Sequence, residues 1–262
     1  MNKSESKIYY LYIAISFVFI VLTTNYLSLF DVIHVANQAD VTSYSEIAKK
    51  APLLYDDLNI GDPNLNRESE IILQHVAQRF LIPYIVGSIS YLLNIDFYLI
   101  FKFFTILSIF FYIFLINVLI KNLNLNLKVS ILFFSVLFLN PYIIRYHLFN
   151  PAQTHDMLFF CFGLVFSITI LNKNYFINLI TTITSVYLRQ TSVALLIGSS
   201  IFLLINKKIK FFIILIGLFF ISLFFIVEIG KQLSSDVFPF NLAYGIIFYD
   251  FNQFEKLIKF LL

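Results

Sequence analysis

The sequence has 262 residues, of which 60% are apolar and 13% charged, with a formal net charge of +3. A soluble domain is about 45–50% apolar and about 25% charged, so a soluble enzyme, a nucleic-acid-binding domain and a secreted disulfide scaffold are all excluded. Several apolar runs approach the ~20 residues that cross a bilayer, with no short alternating strands of the β-barrel kind. The chain therefore reads as all-α: a polytopic transmembrane helical bundle, one domain over 1–262.

The first apolar run is 8–30, preceded by Lys3 and Lys7. It is long for a signal-peptide core and no small-x-small cleavage site follows, so it reads as an uncleaved first span with a cytoplasmic N-terminus. Residues 31–96 form the first extracytoplasmic loop and contain the one long polar stretch, 31–78. There Ser43 and Glu46 have capping-box spacing, which predicts a short helix from Ser43 that Pro52 ends. A turn-rich segment follows over 56–66. A second helix is expected from Arg67, running into the apolar residues 80–93 with Pro83 and Gly87 inside it.

The remaining apolar runs are 97–120, 129–144, 157–171, 175–188, 192–205 and 209–230. Polar breaks at 121–128, 145–156, 172–174, 189–191 and 206–208 separate them, and 231–262 is a mixed, outer C-terminal segment. Cys161 is the only cysteine, which excludes an intramolecular disulfide and reads as inert packing.

Topology turns on whether 80–95 crosses the membrane. If it crosses, Lys121, Lys128, Lys207, Lys208 and Lys210 lie outside. If it does not, they join Lys173, Lys3 and Lys7 in the cytoplasm, as the positive-inside rule favours. The sequence thus predicts about seven spans and a re-entrant or interfacial helix in the first outer loop, which must be surrounded by protein. All four arginines, all four histidines and nearly all the acids then share the extracytoplasmic face. The expected location is the cell inner membrane.

Asp40 lies just past the first span. It could act as a general base or cation ligand facing a lipid-borne substrate, although spacing alone favours a solvated acid or helix cap. Asp156 opens a transmembrane helix, where the helix dipole stabilises an acid. With Asp40 it could divide acid–base work or bind a divalent cation, Mg or Mn, with His155 or His147 as a further ligand. Arg79 is i+4 from His75, on one face with Glu68. Its fork suits a phosphate, and an ion pair with Glu68 or Glu70 explains it equally well. Arg145 and Arg189 stand at outer ends of spans against the usual charge bias, where a substrate phosphate or an acidic partner would hold them. Lys102 and Glu228 fall inside apolar runs, either snorkelling or pairing.

The chain order also forms a pattern. A first span is followed by A-D-x-x-x-Y (Ala39, Asp40, Tyr44), then R-F-L-x-P (Arg79 to Pro83), a basic cytoplasmic turn, F-L-N-P (138–141), and His155-Asp156 at a helix start. This resembles the N-terminal half of the membrane-embedded GT-C glycosyltransferases, the superfamily of protein mannosyltransferases and lipid A aminoarabinose transferases. The resemblance covers residues 8–205. It implies transfer of a sugar from a polyprenyl-phosphate donor to an acceptor on the extracytoplasmic face, with the lipid bilayer as medium and no nucleic-acid partner. It implies catalytic roles for Asp40 and Asp156, and donor-phosphate contacts for Arg79, with His75, Arg145 and Arg189 as further candidates. Asp40 lacks the adjacent acid that some members carry. The chain is short for the superfamily and stops at Phe260-Leu261-Leu262, so it reads as an N-terminal half, a truncated product or a minimal member. A flippase or transporter of lipid-linked saccharide and a non-catalytic membrane protein are the alternatives. The first would place charges at mid-membrane and show internal repeats, and this sequence shows neither.

Overall fold

The computed structural model describes residues 3–23, 39–52, 77–140, 143–144 and 146–233. Among them every regular element is helical. In chain order these are α1 (Lys3–Thr23), α2 (Ala39–Lys50), α3 (Leu81–Leu93), α4 (Phe97–Asn122), α5 (Leu127–Phe138), the single turn α6 (Tyr146–Phe149), α7 (Thr154–Leu171), α8 (Tyr175–Val186), α9 (Val193–Ile205) and α10 (Ile209–Leu233). Short 3-10 turns at Pro151–Gln153 and Gln190–Ser192 lead into α7 and α9. Among the described residues, four stretches are long and apolar enough to cross a membrane: Glu5–Leu22, Phe97–Asn122, Pro151–Leu171 and Ile209–Gly230. Leu81–Leu93, Leu127–Phe138, Tyr175–Val186 and Gln190–Ile205 are shorter apolar helices.

Burial is inverted relative to a soluble protein. Phe220 and Ile213 of α10 are 65% and 63% exposed, whereas Thr105, Ser130, Asn178 and Ser199 are fully buried. In hydrocarbon there is no hydrophobic drive between helices. Hydroxyl and amide contacts and close packing hold them instead. Asn178 Nδ2 donates to Thr169 Oγ1 at 3.1 Å, joining α8 to α7. Thr182 and Ser199 share a hydrogen bond that joins α8 to α9, and Tyr175 Oη donates to Asn206 Oδ1 at 3.4 Å beyond it. These two contacts set α8 and α9 antiparallel. Thr105 Oγ1 and Thr154 Oγ1 lie 2.6 Å apart, and Cys161 Sγ is 3.5 Å from Ser108 O, so α4 and α7 run in the same direction.

The lysine- and asparagine-bearing breaks become tight turns at one end of the bundle. Asn126 and Asn174 cap α5 and α8 by accepting from Val129 N and Ile177 N, at 3.0 and 3.1 Å. Asn124, Lys173 and Lys207 adopt the left-handed conformation, with φ of 51°, 51° and 56°. That geometry reverses the chain in a few residues and satisfies terminal carbonyls of the preceding helix.

The opposite end collects the elements of the first loop. Tyr44, Ile47 and Ala48 of α2 are buried at i, i+3, i+4 spacing and pack with Ala77, Phe80, Ile82, Val86, Phe101, Leu188 and Leu233. Two local expectations are corrected here. Helix α2 starts at Ala39, so Ser43 lies inside it rather than capping it; the end before Pro52 is as read. The helix expected through 80–93 is interrupted: Gln78 and Arg79 form a turn and α3 begins only at Leu81. Pro83 is the third residue of α3, where its missing N–H costs nothing. Helix α10 also continues to Leu233, three residues past the apolar run.

Gly87 is what lets α2 reach the bundle. A Cβ there would sit against the Ala48 carbonyl and 2.8 Å from Ala48 Cα. Both obstacles are backbone, so a side chain must push α2 away. Gly87→Ala should destabilise the protein by about 2–3 kcal/mol, the scale of overpacking. A fluorogenic maleimide can read this thermally, because the buried Cys161 is the only thiol. An unchanged melting point would show that α2 and α3 are not packed this way.

Candidate functional site

Four segments distant in sequence meet at the first-loop end of the bundle. Helix α2 presents Tyr44 because its buried face is pinned by Ile47 and Ala48. The turn before α3 presents Arg79 beside buried Gln78. The 3-10 turn at Pro151 leads into the first turn of α7, which buries His155 and Asp156. The turn between α8 and α9 contributes Arg189 and Gln190.

Arg79 joins three of these segments. Its Nε donates to Gln190 Oε1 at 2.8 Å and its Nη1 to Tyr44 Oη at 3.1 Å. Gln190 Nε2 donates in turn to Gln78 Oε1 at 3.2 Å. The Tyr44 ring lies 4.4 Å from the His155 ring, centroid to centroid. Asp156 Oδ1 is 3.3 Å from Arg189 Nη1 and 3.4 Å from His155 Nε2. His147, on α6, is buried close by. Burial pushes its pKa down to about 4, and the positive charge of Arg189 adds to that shift. The ring is therefore neutral at physiological pH.

The two arginines differ in how their charge is balanced. Arg189 has a carboxylate partner, Asp156. Arg79 has neutral partners, Gln190 and Tyr44, and no carboxylate in ion-pair range among the described residues. Around them, several buried polar atoms have no hydrogen-bond partner among the described residues: Gln78 Nε2, His147 Nδ1, Gln153 Oε1, both His155 ring nitrogens and Arg189 Nε. Buried polar atoms are nearly always satisfied in folded proteins, and each exception needs a reason. A concentration of them at one place points to a ligand or ordered water.

Of the residues singled out from sequence, Arg79, Arg189, His155 and Asp156 belong to this cluster. Asp40 lies in the first turn of α2, one helical turn before Tyr44; its side chain lies outside the described residues, as do His75 and Arg145. The ion-pair explanations of Arg79 through Glu68 and Glu70 also lie outside them. For Arg189 the acidic partner is the geometry observed. Tyr44, Gln78, Gln153 and Gln190 were not singled out as site residues. The available signal was two mirrored pairs at breaks in apolar runs, Gln78-Arg79 and Arg189-Gln190.

A divalent cation would have His155 Nε2 and the Asp156 carboxylate as donors here. No group of three His, Cys, Asp or Glu side chains converges among the described residues, and the Arg189 guanidinium already occupies the carboxylate. Comparison with known proteins adds no relative: no family profile, curated protein or solved structure matches the chain.

Proposed function

We propose that the protein is an integral membrane glycosyltransferase of the GT-C kind, moving a sugar from a polyprenyl-phosphate donor to an acceptor hydroxyl on the extracytoplasmic face. The observation that carries this reading is the cluster itself: an arginine whose partners among the described residues are neutral, beside a buried His–Asp–Arg group and a set of buried polar atoms with no partner among those residues. Arg79 is the donor-phosphate residue, because a guanidinium that gives Nε and one Nη1 N–H to neutral oxygens keeps its other N–H groups for phosphate oxygens. Arg189 holds Asp156 in place. In the transfer step the acceptor oxygen bonds to the anomeric carbon as its proton passes to the Asp40 carboxylate. The bond from that carbon to the phosphate oxygen breaks, and the phosphate keeps the electron pair beside Arg79.

Orientation follows from charge. The turns at 121–128, 172–174 and 206–208 carry lysines, and the cluster lies at the other end of the helices, so the positive-inside rule assigns the cluster to the outer face. Support for a non-crossing α3 comes from its neighbours. Phe80 before it and Phe101 after it pack in one cluster with Tyr44, and Ser45 Oγ donates to Tyr98 Oη at 3.2 Å. A chain that enters α3 and leaves into α4 at one end has seven spans left to make, with N-terminus inside.

The test uses full-length protein in proteoliposomes with radiolabelled polyprenyl phosphate as probe, then a panel of polyprenyl-phosphoryl sugars. Arg79→Ala should weaken polyprenyl-phosphate binding by about tenfold or more, the value of a lost charge-assisted contact. Equal binding by the variant would remove the donor site from this cluster. Movement of the donor between leaflets without its consumption would favour the flippase reading instead.

A further inference from the structure

At the lysine-bearing end of the bundle, α1 and the last turns of α4 enclose a cavity of about 660 Å³. Its lining includes Tyr9, Tyr10, Phe114, Asn117, Lys121 and Asn124. Pockets of about 300–1,000 Å³ accept small amphiphilic ligands. The wall is graded along the helix axis. Phe114 and Tyr10 are 59% and 60% exposed on the outer surface of the bundle, while Lys121 and Asn124 stand exposed at the polar turn.

Two atoms of the lining lack a partner among the described residues. Tyr9 is 3% exposed, and its Oη makes no hydrogen bond; neither does the buried Asn117 Oδ1. The Asn117 amide nitrogen already donates to Ile113 O at 2.9 Å, so its oxygen needs a donor. The Tyr9 hydroxyl can donate and needs an acceptor. Lys121 supplies three further donors and a positive charge. One molecule that met all of these would have an anionic acceptor group, a hydroxyl and an apolar chain. Water could satisfy the two buried atoms. It would use neither the cation nor the apolar wall that opens towards lipid.

We propose that this cavity binds an anionic phospholipid with a hydroxylated headgroup, drawn from the leaflet that faces the lysine-bearing turns. The phosphate accepts from Tyr9 Oη and Lys121 Nζ, a headgroup hydroxyl donates to Asn117 Oδ1, and an acyl chain lies along Phe114 and Tyr10. Tyrosine at the headgroup level and lysine reaching to it are the usual residues of a membrane interface. The site lies at the end opposite to Arg79 and does not rest on the transferase reading.

The experiment is native mass spectrometry of the full-length protein in detergent with equal amounts of phosphatidylglycerol and phosphatidylcholine. The wild type should retain phosphatidylglycerol about tenfold over phosphatidylcholine. Tyr9→Phe should lower that retention about tenfold, the effect of losing one hydrogen bond to a charged group. The same variant should keep the lipid-free melting point, because the hydroxyl has no partner among the described residues to lose. Lys121→Ala should abolish the headgroup preference, and Arg79→Ala should leave it intact. Equal retention of the two lipids, an unchanged Tyr9→Phe, loss on Arg79→Ala, or displacement by soluble glycerol-1-phosphate as effectively as by lipid would each overturn the proposal.

Discussion

Asp40→Asn should reduce consumption of a polyprenyl-phosphoryl sugar by about 100-fold or more, the usual scale of a lost general base, with polyprenyl-phosphate binding within about twofold of wild type. Asparagine keeps the size and hydrogen-bonding reach of the side chain and removes the basic carboxylate. Asp40 lies one turn before Tyr44 in α2, and Tyr44 is fixed by the Arg79 hydrogen bond and the core beneath it. Backbone displacement is therefore not expected from so conservative a change. The contrast with Arg79→Ala is the informative part. Removing a phosphate contact present before and after the transition state weakens binding, whereas removing the base lowers turnover alone. Normal turnover in Asp40→Asn would remove the assigned base and leave the transporter or non-catalytic reading ahead.

Arg189→Ala should destabilise the folded protein by about 2–3 kcal/mol. Breaking a fully buried ion pair costs about 3–5 kcal/mol, because one charge is left unpaired. Here the Arg189 side chain is 31% exposed and that of Asp156 12%, so water screens part of the loss. In the variant the Asp156 carboxylate keeps His155 Nε2 at 3.4 Å as a neighbour but loses its guanidinium. A chain of this size should lose roughly 5 °C or more in melting temperature, read by thiol labelling of Cys161. The double variant Arg189→Gln with Asp156→Asn should recover most of the loss, since a neutral amide pair carries no charge that needs compensation. A single variant as stable as wild type, with no recovery to measure in the double, would show that the pair is not formed.

These two expectations differ in how far they could be reached from sequence. Arg189 stood out as an arginine on the unexpected side of a span, and a substrate phosphate or an acid was equally consistent with it. Asp156, 33 residues earlier, is its partner only because α7 and α8 pack so that the start of one meets the end of the other. Arg79 likewise reaches across 111 residues to Gln190. No local spacing encodes such a contact; it depends on how the helices stack.

What the sequence alone determined is the helical, membrane-crossing character and the grouping of polar residues by end. In lipid every backbone N–H and C=O must be satisfied within its own segment, so an apolar run has only the helix open to it. Lysine and asparagine breaks are therefore readable as turns without knowledge of any partner. The tertiary structure decided the rest. Helix α2 begins at Ala39 rather than Ser43, because its buried face at Tyr44, Ile47 and Ala48 outweighs a local cap signal. The chain turns at Gln78 and Arg79 instead of continuing as a helix, placing Arg79 against Gln190 and Tyr44. Gly87 admits the backbone of Ala48 at a distance no other residue allows. Each of these is a matter of packing between segments, where contact energies across the bundle exceed the few tenths of a kcal/mol of local propensity.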